Sequence, residues 1–470
     1  MRFRDGGRYR VLDNSNKVGM ADVSIVCKRT VVSTKAVQPG QFYQLSVLDR
    51  IMEPNNIRMV YYYRFPSETT ELGSVTKKLR ELLSEVLTSY SIVTGRLQKN
   101  PDGEWMVKCN DAGVRMIEAT AKGSVDKWLQ TADREKELNL IYWEEMFHKP
   151  YFWSTFYVQL TEFEQGGVAI GLSCTHLLAD ATSATMLIKS WAETSLLGKM
   201  TTPPQYQPLP SPTIGKTDDT HNDLINHYKS SMNSSYAPRS TRHVTITFKF
   251  TDAMVIRLSE DALPGTRILN ATISTPFAAL SGLMWVSISH VKGMRNRFVD
   301  LSLSLDVRPL LGLLKGFFGN CTVFSKVCQK DDGLYKVDLA NATEAIVDSA
   351  AKLTEEEIIA FIKWLESNIL GHKQPHYPPI NGPELICANL ESLDPFSAMF
   401  DSWLEPLRVS YYLEHVFGQG QVLILPSPRD EGSSSRIVMV TLPEDEAVKL
   451  CEHDLILKYS PTILMGGHKK

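Results

Sequence analysis

A mixed α/β fold in two parts of similar size is what the sequence predicts. At 470 residues the chain exceeds what one ordinary core holds, so two domains of roughly 200 residues are expected. Both halves interleave strand-like alternation with apolar stripes of helical period. Between them lies Thr201 to Arg242, with five prolines from Pro203 to Pro212 followed by Ser- and Asn-rich sequence. Proline removes a donor and fixes φ, so this stretch is expected to run as an extended surface connection. The expected division is therefore 1–19 as a disordered extension, 20–200 and 243–470 as domains, and 201–242 as the linker between them.

In chain order, Val23, Ile25 and Cys27 alternate with polar neighbours and read as a first strand. Ser74 is placed to cap a helix whose stripe is Leu79, Leu82, Leu83, Val86, Leu87 and Tyr90. Thr155–Glu162 and Val168–Thr175, joined through Gln165-Gly166-Gly167, read as a hairpin. An apolar helical run, Ala181 to Ser195, follows directly. Past the linker, Val244, Ile246, Phe248 and Phe250 mark a strand, and Thr275 to His290 an apolar helix. Thr354 and Glu357 make a capping box for a helix over Glu355–Ser367. Strands are expected at Arg408–Leu413, Val422–Leu425 and Arg436–Thr441, with a last helix opening at Pro443. The hairpins exclude a regular βαβ alternation.

Composition narrows the function. Hydrophobic content of 43% and charged content of 22% describe a soluble globular chain. A net charge of -3 lacks the basic footprint of a nucleic-acid binder. No apolar run reaches the roughly 18 residues a membrane span needs. The seven cysteines are scattered and never spaced C-x-x-C, which suits a reducing, cytoplasmic compartment and gives neither a disulfide framework nor a zinc site. Arg2, Arg4, Arg8 and Arg10 sit in residues 1–19, but Asp5, Asp13 and the scarcity of serine argue against a transit peptide.

The chemistry concentrates at His176-Leu177-Leu178-Ala179-Asp180, between the strand ending at Thr175 and the helix opening at Ala181. An imidazole at a sheet edge is suited to take a proton near neutral pH. The plain alternative is a structural histidine at a strand end. Asp180, directly before the helix, reads as its N-cap, which leaves His176 to act alone. Other candidates are weaker. Cys174 reads as buried packing, and Gly171-Leu172-Ser173 lacks the second glycine of a nucleophile elbow. The pairs His221/His227 and His372/His376 have no carboxylate placed to complete a metal site. Gly418-Gln419-Gly420 is followed by no helix and is no dinucleotide fingerprint.

Several segments in order resemble the plant BAHD acyltransferase family. His176 to Asp180 matches its HxxxD motif, and Asp306-Val307-Arg308 with Phe317-Phe318-Gly319-Asn320 is similar to its DxR…YFGN segment. Leu45-Ser46-Val47-Leu48-Asp49, Tyr61-Tyr62-Tyr63, Gly95-Arg96-Leu97 and Cys109 to Val114 fall at similar landmarks. Val416-Phe417-Gly418-Gln419-Gly420 stands where the family has DFGWG.

The resemblance, covering nearly the whole chain from Met20, implies two chloramphenicol-acetyltransferase-like domains joined by a long crossover with a channel between them. It implies acyl-CoA as co-substrate with no permanently bound cofactor and no metal, a small alcohol or amine acceptor, and a monomer. His176 would be the general base and Asp180 would pair with Arg308 to hold the turn. Three positions depart from the pattern: Ala181 replaces the glycine after HxxxD, Val416 the acid and Gln419 the tryptophan of DFGWG. A degenerate DFGWG is also similar to the ECERIFERUM2-like branch, whose members assist very-long-chain fatty-acyl elongation without needing the His motif. That accessory role is the alternative reading.

Overall fold

A computed structural model describes residues 22–35, 40–65, 73–146, 152–210, 222–232, 242–263, 273–328, 336–369 and 379–466. The expected extension over 1–19, and His221, His372 and His376, lie outside the described residues.

Strands Phe156–Phe163 and Val168–Thr175 are buried at every position, and the near-continuous apolar run of the second is what the middle of a covered sheet calls for. They pair antiparallel as the expected hairpin, turned by Gly166 and Gly167 at φ 97 and 102, where a side chain would be strained. Around them the first sheet runs, edge to edge, Val23–Val31, Val114–Ala121, Phe156–Phe163, Val168–Thr175, Asn56–Tyr63 and Arg408–Glu414. Its last strand comes from the second half of the chain. Asn56 pairs with Thr175 on one side and Glu414 on the other, so one row of the sheet ends where His176 begins. The incoming strand is anchored by Arg408, whose Nη2 donates to the fully buried Glu137 at 2.6 Å.

The second sheet contains Thr322–Lys326, Leu301–Asp306, Leu385–Asn389, Gly420–Pro426, Arg436–Pro443, His243–Phe250 and Thr462–Met465 in that order. A smaller sheet joins Gln41–Gln44, Trp105–Cys109, Arg96–Lys99 and Trp153–Ser154. Helix Thr275–Val291 is buried from Phe277 to Ser289, which explains its lack of a polar face. Ser274 caps it, accepting from the Phe277 N–H at 3.1 Å.

Two local expectations fail for physical reasons. The linker is not extended throughout, because Asp223–Met232 is a helix. Asn222 accepts from the Ile225 N–H at 3.1 Å, and Leu224, Ile225 and Tyr228 are buried, so a cap and an apolar stripe override the polar composition around them. Ser74 does not cap its helix, Ser74–Leu87, but lies inside it. The orphan donors at that end are met by Glu162 of the neighbouring strand, which accepts from the Gly73 N–H at 2.8 Å and the Thr76 N–H at 3.2 Å. Beyond the helix that opens after Pro443, the chain adds Asp454–Tyr459 and the edge strand Thr462–Met465, neither anticipated from the sequence.

Candidate active site

Strand Val168–Thr175 delivers His176 and helix Ala181–Leu197 starts from Asp180. The three apolar residues between them are buried at 0–1% exposure, which fixes the turn and points its two polar members inward. Asp180 is the N-cap expected: its Oδ1 accepts from the Ser183 N–H at 2.9 Å.

The carboxylate does more than cap. Arg308 Nη1 donates to Oδ2 at 2.8 Å and Nη2 to Oδ1 at 3.0 Å, and the Cys321 N–H reaches Oδ2 at 2.9 Å. Arg308 Nη2 also donates to the Gly319 carbonyl at 2.6 Å, and Nη1 lies 3.0 Å from Asp306 Oδ2. A planar guanidinium meeting a carboxylate with two parallel bonds is a geometry that a lysine cannot copy. Burial pushes the Asp180 carboxyl up, but the Arg308 charge and the surrounding N–H groups outweigh it and hold it below the usual range. The pairing of Asp180 with Arg308 therefore clamps the HxxxD turn to the loop running from Asp306 to Asn320.

That loop carries the residue that sequence reasoning left without a role. Asn320 Oδ1 lies 2.8 Å from His176 Nδ1, and its Nδ2 donates to the His176 carbonyl at 2.7 Å. The His176 N–H donates to the Asn55 carbonyl at 3.0 Å, and Asn55 in turn exchanges side-chain hydrogen bonds of 2.9 and 3.1 Å with Asn381. With an amide oxygen against it, Nδ1 bears the hydrogen and Nε2 keeps the lone pair. Among the described residues no hydrogen-bond partner meets Nε2. Burial lowers the tendency of His176 to protonate, opposed in part by the Asp180 charge and the Asn320 hydrogen bond. A neutral imidazole with one free nitrogen is the form a general base needs. Asn320 sits in the quoted Phe317 to Asn320 segment, so its position was visible in the sequence although its task was not.

The segment Val416, Phe417, Gly418, Gln419, Gly420 is a turn between strands Arg408–Glu414 and Gly420–Pro426. Its backbone bonds run inward, from the Gln419 N–H to the Glu384 carbonyl at 3.2 Å and from the Gly420 N–H to the Phe417 carbonyl at 3.3 Å. Gly418 has φ +59, and a Cβ there would come within 2.5 Å of the Gly382 oxygen and the Pro383 carbonyl carbon. Replacing Gly418 by alanine should therefore destabilise the fold by about 1–3 kcal/mol or more, read as a lower urea midpoint. Turnover below the transition should stay unchanged. A kcat loss without a midpoint shift would contradict this purely structural role.

His227 does meet a carboxylate, with Nε2 at 2.9 Å from Glu384 and Nδ1 at 3.2 Å from the Phe324 carbonyl. Both ring nitrogens are thereby occupied, and among the described residues no group of His, Cys, Asp and Glu side chains is arranged to hold a metal ion. Nor does any helix among them have the length and apolarity to cross a membrane.

A family profile described as Transferase family matches residues 21–455. The chain belongs to the plant BAHD transferase family. BAHD relatives include Protein ECERIFERUM 2 of Arabidopsis thaliana, 24% identical over 450 residues that cover 92% of this chain and 97% of the relative. Putrescine hydroxycinnamoyltransferase 3 of Oryza sativa subsp. japonica is 23% identical over 463 residues, covering 90% and 98%. Among solved structures, F. sporotrichioides TRI101 complexed with coenzyme A and T-2 has a TM-score of 0.66 at 12% identity, over 90% of this chain and all of that one. The mixed α/β, two-domain BAHD fold expected from the sequence is thus the fold of this chain, and the family is one of acyl-CoA-dependent acyltransferases.

Proposed function

We propose that this BAHD protein transfers an acyl group from an acyl-CoA to a hydroxyl or amine of a small metabolite, with His176 as general base. The carrying observation is the Nδ1 contact to Asn320 Oδ1 at 2.8 Å, which leaves the lone pair on Nε2. In this reading Nε2 takes the acceptor's proton as its oxygen or nitrogen attacks the thioester carbonyl, forming a tetrahedral oxyanion. Its collapse breaks the C–S bond, and the imidazolium returns the proton to the departing coenzyme A thiolate. Asp180 and Arg308 hold the loops that meet here and touch no substrate. The coenzyme A in the TRI101 complex supports the choice of donor. We assign 20–200 and 243–470 to the two domains, with Arg408–Glu414 exchanged into the sheet of the first, and 201–242 to the crossover. Purified protein incubated with aromatic and aliphatic acyl-CoAs and a panel of alcohols and amines should release free thiol together with an ester or amide. Absence of acceptor-dependent thiol release across such panels would sink the reading.

The pH dependence follows from burial. A His176 that protonates less readily than its ordinary value of 6.5 stays neutral through neutral pH. The acid limb of kcat/KM should therefore fall below that value, with activity lost only as pH drops further. The same depression removes stability in the acid direction, since the unfolded chain binds this proton more readily. An acid limb above pH 7 would assign the limb to another group.

A second reading is favoured by Val416 and Gln419 at the DFGWG position and by the ECERIFERUM 2 relative: an accessory of very-long-chain fatty-acyl elongation that performs no transfer. It predicts that a His176→Ala variant supports elongation as well as the unaltered protein. Loss of elongation in that variant excludes it.

A further inference from the structure

Asp49 is a carboxylate that the chemistry above leaves unused. It is 1% exposed, and among the described residues no Lys, Arg or His side chain pairs with it. N–H groups surround it instead. Oδ1 accepts from the Asn320 backbone N–H at 3.0 Å and from Asn320 Nδ2 at 2.7 Å, while Oδ2 accepts from the Ser46 N–H at 2.7 Å. Burial pushes its carboxyl above the ordinary range, against the hydrogen bonds from Asn320 and Ser46 that favour the charge. The exchange with Ser46 is a capping box on the short helix Val47–Arg50, and a cap needs nothing from a residue 271 positions away.

The Asn320 amide explains the arrangement. Both hydrogens of its Nδ2 are engaged, one by Asp49 Oδ1 and one by the His176 carbonyl, each at 2.7 Å. Turning the amide over would set its oxygen against a carboxylate oxygen and a carbonyl oxygen at that distance, and its NH2 against His176 Nδ1. Oδ1 already accepts two N–H groups of Asn320, so it meets the amide as an acceptor and disfavours the turned state, which would set oxygen against oxygen. We propose that Asp49 is a positioning residue for the general base: it locks the Asn320 amide with Oδ1 toward His176 Nδ1 and thereby keeps the lone pair on Nε2.

The inference rests on His176 being the base, as proposed above. Asp49 differs from the carboxylate of an acyl-transfer triad in acting through an intervening amide. It also differs from Asp180, whose charge is matched by Arg308. Its position makes it testable by replacement in solution. Asp49 borders a cavity of about 430 Å³ that is also lined by Tyr43, Val47, Leu209 and Phe317. Truncating its side chain therefore opens a carboxylate-sized hole beside a space that a small anion can occupy.

In the full-length Asp49→Ala variant, kcat should fall about 10-fold or more while KM for the acyl-CoA stays within about twofold. A wholly wrong tautomer costs a histidine base roughly 10⁴-fold, and a partly freed amide costs a fraction of that. Added sodium formate should restore part of the lost kcat, and 15N spectra of His176 should show the Nε2 lone pair less populated without formate than with it. Ser46→Ala is the control, since it removes the return half of the cap and should lower the melting temperature without changing kcat. If the alanine variant does not fold, Asp49→Ser keeps a polar group beside Ser46 while falling short of Asn320, and the same readouts apply. Wild-type kcat in the folded variant, or a loss that formate leaves unchanged, overturns the proposal. Failure of the base assignment is separable: it appears as full turnover in His176→Ala, whatever Asp49 does.

Discussion

Replacing His176 by alanine should lower kcat by about 10²- to 10⁴-fold, the usual contribution of a positioned general base, with KM for the acyl-CoA little changed. The ring has no second task that touches substrate, and its Nδ1 only holds Asn320 at 2.8 Å. Alanine leaves the Asn320 amide oxygen without that donor, so some loss of stability accompanies the loss of rate. His176→Gln separates the two effects. A glutamine amide can still donate to Asn320 Oδ1, but it takes up no proton at neutral pH. Fold should be retained and turnover lost. Thiol-release kinetics, with circular dichroism as the folding check, decide the matter. Turnover within about twofold of the unaltered protein in a folded glutamine variant would remove His176 from the mechanism.

The largest expected effect on stability is at Asp180. Alanine there strands the guanidinium of Arg308, a residue only 7% exposed, together with the Ser183 and Cys321 N–H groups that the carboxylate now accepts from. Removing one partner of a buried ion pair typically costs about 3–5 kcal/mol, because the remaining charge stays desolvated. Arg308 also lies 3.0 Å from Asp306 Oδ2, which softens the loss without supplying the two parallel bonds. Urea unfolding should show a large fall in midpoint, with thiol release lost alongside the native turn. An Asp180→Leu, Arg308→Met double variant should recover only part of the stability: it removes the stranded guanidinium, but it leaves the Asp306 carboxylate and the Ser183 and Cys321 N–H groups without these partners. A single-alanine cost below about 1 kcal/mol would mean that the pair behaves as an exposed one and that the clamp is not what holds the turn.

The local part of this site was legible before any coordinate. The run to Thr175 is apolar and strand-like and then stops, the run from Ala181 has helical period, and an aspartate stands where helix N-caps stand. Each is a short-range pattern, and the structure returns Asp180 as the cap with its 2.9 Å bond to the Ser183 N–H. The same reasoning misassigned Ser74, because a distant carboxylate, Glu162, reaches the orphan donors at that helix end. It also missed the helix Asp223–Met232, whose stripe of Leu224, Ile225 and Tyr228 is too short to stand out from a polar stretch.

The sequence by itself determined the α/β class, the hairpin, the strand–turn–helix that presents His176, and the identity of the residues that resemble the family's motifs. These depend on neighbours within a few positions, where period and cap chemistry act. Only the tertiary structure decided what His176 is held by. Asn320 lies 144 residues away, Asp49 stands a further step behind it, and the last strand of the sheet beside His176 comes from Arg408–Glu414. Amide and carboxylate side chains have no periodic signature, and whether they meet depends on which distant loops the two sheets bring to one end. The histidine was therefore visible in the sequence, and the direction of its lone pair was not.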